Sequence, residues 1–294
     1  MVNVNQTNDH SDERVIVILG AGLMGTDLAQ VFAEVGYSVT LIDIFESALQ
    51  RAKERIKVNL RLHGIYGRRI TDPPEDVLNR IDFALRFDAL FRARYIIENV
   101  TEDWEIKRKL HEEIRDLYPA DALLAINTSV IPITRIAAVA RHRTLTVGMH
   151  FMNPVTLSTA VEVVRGVHTS DAAINKAVEL AQAIGKTVVI VNDMPGFVSN
   201  RVLMPMINEA IWTVQDRVAE AAEVDRIFKL CFGHKMGPLE TADLIGLDTI
   251  LLSLLELYNS FLDPKYRPCP LLRQMVDSGK LGRKSGAGFY EYDC

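Results

Sequence analysis

Six residues, Gly20-Ala21-Gly22-Leu23-Met24-Gly25, constrain the fold of this chain more than any others. They follow a short apolar, β-branched run (RVIVIL, 14–19) and open a segment, 23–35, whose apolar residues recur at helical spacing. Gly36 is placed to end that helix, and SVTLI (38–42) supplies a second strand, so the unit reads as β-α-β. In that setting Gly20 allows a tight turn and Gly22 lets the backbone approach a pyrophosphate. Gly25 lets helix and strand pack closely, with phosphates on the helix N-terminus, where Leu23 and Met24 complete the loop. Asp43 closes the second strand, 18 residues past Gly25. Its carboxylate suits the ribose hydroxyls of a dinucleotide and repels a 2′-phosphate. Ile44 and Phe45 follow it with no arginine, which favours NAD over NADP. Three glycines alone are also compatible with a tight structural turn; strand, helix and acid together favour the cofactor.

Apolar runs recur at 95–100, 123–126, 145–149, 161–164 and 187–191, with helical stretches between several of them. That alternation predicts a Rossmann-type, doubly wound α/β sheet. The segment between the second strand and residue 95 reads as a charged, helical excursion with a loop at Asp72-Pro73-Pro74-Glu75. After Asp193 the pattern changes to long apolar-periodic segments, and Met194-Pro195-Gly196 punctuates the change. The expected division is a sheet domain over 1–193 and an all-α domain over 194–294. Composition excludes several classes. The chain has 48% hydrophobic residues and a net charge of −5, so no positive field exists for a nucleic-acid partner. No uncharged apolar run reaches membrane-spanning length, and the polar first 13 residues read as a frayed tail rather than a secretion signal. Cys231, Cys269 and Cys294 show no metal-ligand spacing and are too few for a disulfide framework, so no metal and a cytoplasmic setting are expected.

Cofactor binding does not name a reaction. His150 ends the apolar run 145–149, and the C-terminal ends of parallel strands face the ligand crevice. An imidazole there has the pKa to exchange a proton with an alcohol while hydride moves. Glu162 lies within the next apolar run, past the Asn153-Pro154 turn, where a buried carboxylate needs a partner. A bond between the two would hold one tautomer of the ring. A lone histidine at a strand end is more often a satisfied structural residue, and spacing alone leaves both readings open. Asn127-Thr128-Ser129 ends another apolar run, and Asn200 lies in the first turn of the second domain. Each is placed either to bond a ligand oxygen or to cap a helix.

These residues together resemble the short-chain L-3-hydroxyacyl-CoA dehydrogenase (3-hydroxybutyryl-CoA dehydrogenase) family. The blocks that carry the resemblance are GAGLMG at 20–25, NTS at 127–129, HFMNP at 150–154 with VEVV at 161–164, PGFVSNR at 195–201, MGPLETADLIGLD at 236–248 and GRKSGAGFY at 282–290. The resemblance implies an NAD-dependent oxidoreductase acting on the 3-hydroxyl or 3-keto group of a short acyl thioester. It implies that His150 and Glu162 form a catalytic dyad, and that Ser129 and Asn200 contact the reacting oxygen. Asp43 matches the ribose-binding acid, and Glu102 and Lys107 match an acid and a lysine on the cofactor side of the cleft; Asn127 is placed by its strand end, independently of the resemblance, to bond the nicotinamide. The family's second domain is helical, supplies most of a homodimer interface and closes over the bound thioester.

Two departures bear on the substrate. At the third strand's end the family's small apolar pattern is replaced by Glu98-Asn99-Val100-Thr101-Glu102, which adds two polar side chains. Where members that bind coenzyme A tend to carry lysines, this chain has Gly64-Ile65-Tyr66-Gly67, with Arg68 and Arg69 only afterwards. Arg51, Lys53, Arg55, Lys57 and Arg61 read as one basic helix face. That face suits either coenzyme A phosphates or the acidic recognition helix of an acyl carrier protein. The second option matches family members that oxidise a hydroxymalonyl group on carrier protein in polyketide extender-unit pathways. Two further alternatives are a free hydroxy-acid dehydrogenase of lambda-crystallin type and a non-catalytic NAD-binding protein.

Overall fold

The apolar runs that precede residue 193 assemble into one eight-stranded sheet. In the computed structural model, which describes residues 14–65 and 72–292 apart from the side chains of 63–65, the chain divides into two compact units, Met1–Asp193 and Met194–Cys294. The readings made above for the 1–13 tail, for the side chains of the 64–69 stretch and for Cys294 lie outside the described residues.

The first unit opens with β1 (Val15–Leu19), α1 (Leu23–Glu34), β2 (Ser38–Ile42), α2 (Glu46–Ile65), α3 (Pro74–Asn79) and β3 (Ile81–Ala84). It continues through β4 (Tyr95–Glu98), α4 (Trp104–Ile114), β5 (Leu123–Ile126), α5 (Ile133–Ala137), β6 (Thr146–Phe151), β7 (Ala160–Arg165), α6 (Asp171–Ala183) and β8 (Thr187–Asn192). The strand order is β3-β2-β1-β4-β5-β6-β7-β8. Every neighbouring pair is parallel except β6 and β7, which run antiparallel. All of β5 and β6 is buried, as strands covered on both faces should be, and β6 takes the polar Thr146 and His150 in with its apolar residues. Leu28 and Phe32 of α1 and Ile174 and Leu180 of α6 belong to the same core as Ile16, Ile18 and Leu41 of the sheet. The chain winds outward from β1 through β2 to β3 and then crosses to β4. That reversal opens a crevice at the C-terminal ends of β1 and β4.

The structure corrects three sequence readings here. Strand β3 lies inside the segment read as a helical excursion with a loop at 72–75. It has four residues at the sheet edge, of which Ile81 is buried and Asp82 is exposed, too little alternation to stand out. The third run stops at Glu98 rather than residue 100, because the Glu98 carboxylate accepts the Val100 N–H (2.8 Å) and turns the chain. His150 lies inside β6 rather than after it, because the antiparallel ladder with β7 continues to the Phe151–Val161 pair.

The second unit is helical: α7 (Ser199–Gln215), α8 (Ala221–Phe232), α9 (Pro238–Ile245), α10 (Leu247–Phe261) and α11 (Pro270–Asp277). Ile207, Ile211, Leu239, Ile250, Leu254 and Leu272 belong to its core. Two buried aspartates tie its C-terminal segment down. Asp225 accepts the N–H groups of Leu239 and Glu240 (both 2.8 Å) at the start of α9, and the Tyr290 hydroxyl (2.7 Å). Asp243 accepts the N–H groups of Phe289 and Tyr290 and the Tyr292 hydroxyl, all at 3.0 Å. Burial, reinforced by the hydrogen bond to Asp243, pushes the Tyr292 hydroxyl up to about 12, and burial beside Asp225 raises Tyr290 as well. Among the described residues no single helix is long and apolar enough to cross a membrane.

Candidate active site

A cavity of about 740 Å³ opens where β1 and β4 end. Its walls include Gly20, Gly22, Leu23, Asp43, Phe45, Asn99 and Thr101. The glycines divide the work of forming it. A Cβ on Gly25 would stand 1.9 Å from the Gly20 carbonyl oxygen, so only glycine allows α1 to pack this closely on the loop after β1. A Cβ on Gly22 would meet nothing within 4 Å, which leaves the loop open toward the cavity at the N-terminus of α1. The unpaired N–H groups of that helix start favour an anion. Asp43 faces the cavity and braces the loop: Oδ2 accepts the Ala21 N–H (2.8 Å) and Oδ1 accepts the Phe45 N–H (2.9 Å). Each oxygen keeps a second lone pair for a ribose hydroxyl. Glycine cradle, helix start and acid together fit NAD. Met24 packs its side chain against the core instead of the cavity, so only Leu23 of that pair lines the cleft.

Behind the cleft wall lies a buried charge cluster that spacing did not reveal. Glu98 and Lys107 are both wholly buried, with Lys107 Nζ at 2.7 and 2.9 Å from the two carboxylate oxygens. His111 Nε2 lies 3.4 Å from the same carboxylate. Burial alone would push the Glu98 carboxyl up, but the Lys107 ammonium and the His111 ring hold it below the ordinary range. Lys107 therefore supports the wall from behind rather than lining the cleft, because its amine is turned inward onto Glu98. Glu102, read as a cofactor-side acid, has one carboxylate oxygen engaged by the 128–131 turn. It accepts the Thr128 hydroxyl and the N–H groups of Ser129 (3.1 Å), Val130 (3.1 Å) and Ile131 (3.3 Å).

Further along the same end of the sheet, β6 and β7 place His150 directly opposite Glu162. His150 Nδ1 lies 2.8 Å from Glu162 Oε2, and both residues are buried. A carboxylate only accepts, so Nδ1 carries the proton and Nε2 is the basic nitrogen. Ser129 Oγ lies 3.2 Å from that Nε2. The turn after β5 and the antiparallel pair thus bring Ser129, His150 and Glu162 together. The Asn127 amide is committed to the scaffold: Nδ2 donates to Asn99 Oδ1 (2.8 Å) and Oδ1 accepts the Phe151 N–H (3.1 Å). Asn99 also donates to the Ile97 carbonyl (3.2 Å), so its side chain joins strand ends. Asn200 is the second residue of α7 in the other unit.

The basic stretch of α2 is not one face. Residues two apart on a helix point to opposite sides, whereas those four apart align. Arg51 and Arg55 line the cavity, and Arg55 bonds buried Asp27 at 3.2 and 3.3 Å. Lys53 sits over the Phe83 ring and Lys57 pairs with Glu54. That split was available from helical angles alone. The burial of Glu98 against Lys107 and the hold of Glu102 on the 128–131 turn were not, since those partners lie 9 and 26 to 29 residues away along the chain.

The family profile described as the NAD binding domain of 3-hydroxyacyl-CoA dehydrogenase matches residues 15–194, and its C-terminal domain profile matches residues 196–292. The chain is 44% identical over 279 residues to a probable 3-hydroxybutyryl-CoA dehydrogenase of Bacillus subtilis, covering 95% of this chain and 97% of that protein. It is 46% identical over 276 residues to a probable 3-hydroxybutyryl-CoA dehydrogenase of Deinococcus radiodurans, covering 94% and 99%. The crystal structure of (S)-3-hydroxybutyryl-CoA dehydrogenase from Ralstonia eutropha superposes with a TM-score of 0.90 at 39% identity, covering 96% of this chain and 99% of that one.

Proposed function

Because the chain belongs to the 3-hydroxyacyl-CoA dehydrogenase family and takes NAD as its cofactor, we propose that His150, Glu162 and Ser129 carry its reaction at C3 of a short acyl-CoA. The observation that supports this reading most is the chain of contacts from Glu162 Oε2 through His150 to Ser129 Oγ, at 2.8 and 3.2 Å. NAD supplies the hydride acceptor in oxidation, and its reduced form the donor in the reverse direction. The residues handle the proton. His150 Nε2 takes it from the 3-hydroxyl as the ketone forms, and returns it on reduction. Glu162 fixes the ring's tautomer and stabilises its cationic form. Ser129 holds the reacting oxygen beside Nε2, and Asn200 keeps the substrate-facing role that the resemblance implies.

The same proposal assigns residues 1–193 to NAD and 194–294 to the substrate and to a homodimer contact. It includes a cytoplasmic setting, for which the support is the low cysteine content of the sequence. A carrier-protein thioester is the alternative substrate. Assaying purified protein with NADH against acetoacetyl-CoA, and with NAD against hydroxymalonyl carrier protein, tests the choice. Turnover of acetoacetyl-CoA is expected; turnover of the carrier-bound group alone would reverse the assignment.

A further inference from the structure

The segment that presents Ser129 relies on side chains for its backbone partners. From Ser129 to Thr134 the chain offers five backbone N–H groups, since Pro132 has none. Glu102 Oε1 accepts those of Ser129, Val130 and Ile131. Asp193 accepts the other two: Oδ1 takes Ile133 N–H (2.9 Å) and Oδ2 takes Thr134 N–H (2.7 Å). The second pair are first-turn groups of α5, whose N-cap, Pro132, makes no side-chain cap bond. Thr128 Oγ1 closes the turn by accepting Ile131 N–H at 3.1 Å. Leaving such groups unpaired would be costly, so the two acids determine the path of this segment.

We propose that Glu102 and Asp193 are positioning residues that hold the 128–134 segment so that Ser129 Oγ meets His150 Nε2. The inference rests on the catalytic reading of Ser129 given above. Glu102 reaches the segment through Oε1 alone, so glutamine keeps that acceptor and loses only the charge that sets Oε2 4.0 Å from Lys107 Nζ, whereas alanine removes both. Asparagine at 193 loses one of two acceptors and sets an amide N–H₂ against a backbone N–H.

The test measures kcat, thioester KM and NADH Kd for Glu102→Gln, Glu102→Ala, Asp193→Asn and Ser129→Ala, and for the last combined with each of the other three. Misplacing a reacting group costs up to about 100-fold, so Glu102→Ala and Asp193→Asn should lower kcat by about 10- to 100-fold. Glu102→Gln should retain more kcat than Glu102→Ala, and Asp193→Asn should leave NADH Kd unchanged. In the Ser129→Ala background none should lower kcat further. Losses that multiply with Ser129→Ala, or a Glu102→Gln loss of kcat equal to that of Glu102→Ala, would overturn the proposal while leaving the Ser129 assignment standing. A Ser129→Ala enzyme with wild-type kcat would remove that assignment, and the proposal with it.

Discussion

His150 and Glu162 face each other across the antiparallel pair of the sheet, with Nδ1 and Oε2 2.8 Å apart. Directly opposed residues on such a pair share a face and lie within side-chain reach. The dyad is therefore set by the pairing of two strands, and each partner satisfies the buried polar group of the other.

Replacing His150 by Gln removes the base and keeps the volume. Turnover should fall on the order of 10²–10⁴-fold, with NADH affinity unchanged. Glu162→Gln should give a smaller loss of kcat. Stopped-flow hydride transfer and NADH titration measure both; wild-type turnover in the histidine variant would remove it from the mechanism.

Gly22 and Gly25 should separate cofactor affinity from folding. Gly22→Ala adds a methyl group to open space at the cradle, so thermal stability without cofactor should hold while NADH affinity weakens by about tenfold or more, roughly 1.4 kcal/mol. Gly25→Ala drives a methyl group into the Gly20 carbonyl and should lower the melting temperature with no cofactor present. Equal stability of the two variants without cofactor would contradict this division.

Breaking the Glu98–Lys107 pair from one side should cost about 3–5 kcal/mol, because it strands a buried charge. Glu98→Gln should show that loss in denaturant unfolding, and Glu98→Gln with Lys107→Met should recover much of it. The carboxyl is held low, so its stabilisation is complete above the ordinary carboxylate range and is lost as pH falls through the folded value. The variant's acid limb should be correspondingly flatter.

Tyr292 gives the opposite sign. Its hydroxyl is raised to about 12, so its stabilisation is complete below the ordinary tyrosine value of about 10 and is lost as pH climbs through the folded one. Tyr292→Phe should lose about 1 kcal/mol at neutral pH and flatten the stability profile over that alkaline window. Urea unfolding at stepped pH reads both effects.

The glycine loop, Asp43 and the first β-α-β unit were legible because each depends on neighbours within a few turns of chain. The His150–Glu162 pairing was partly legible, since Asn153-Pro154 marks a turn between two apolar runs. The burial of Lys107 was not: it sits in a charged helix whose composition looks solvent-facing, and only tertiary packing buries it. Glu102 and Asp193 were hidden for a related reason. Each bonds backbone N–H groups 27 to 60 residues away, and no side-chain pattern announces such a partner. The four-residue β3 offered too short a window for alternation to register.

On the proposed assignment proton exchange is built into one hairpin, so the connection from 152 to 159 can be varied without disturbing the dyad, provided Val155 still fills its buried position, the carbonyls of Val155 and Ser158 still receive the buried Lys186 amine, and both strands keep their phase. A single inserted residue within either strand would instead turn one partner to the far side of the sheet. Grafting and evolution alike can therefore vary what surrounds this reaction centre, and must transmit the hairpin whole.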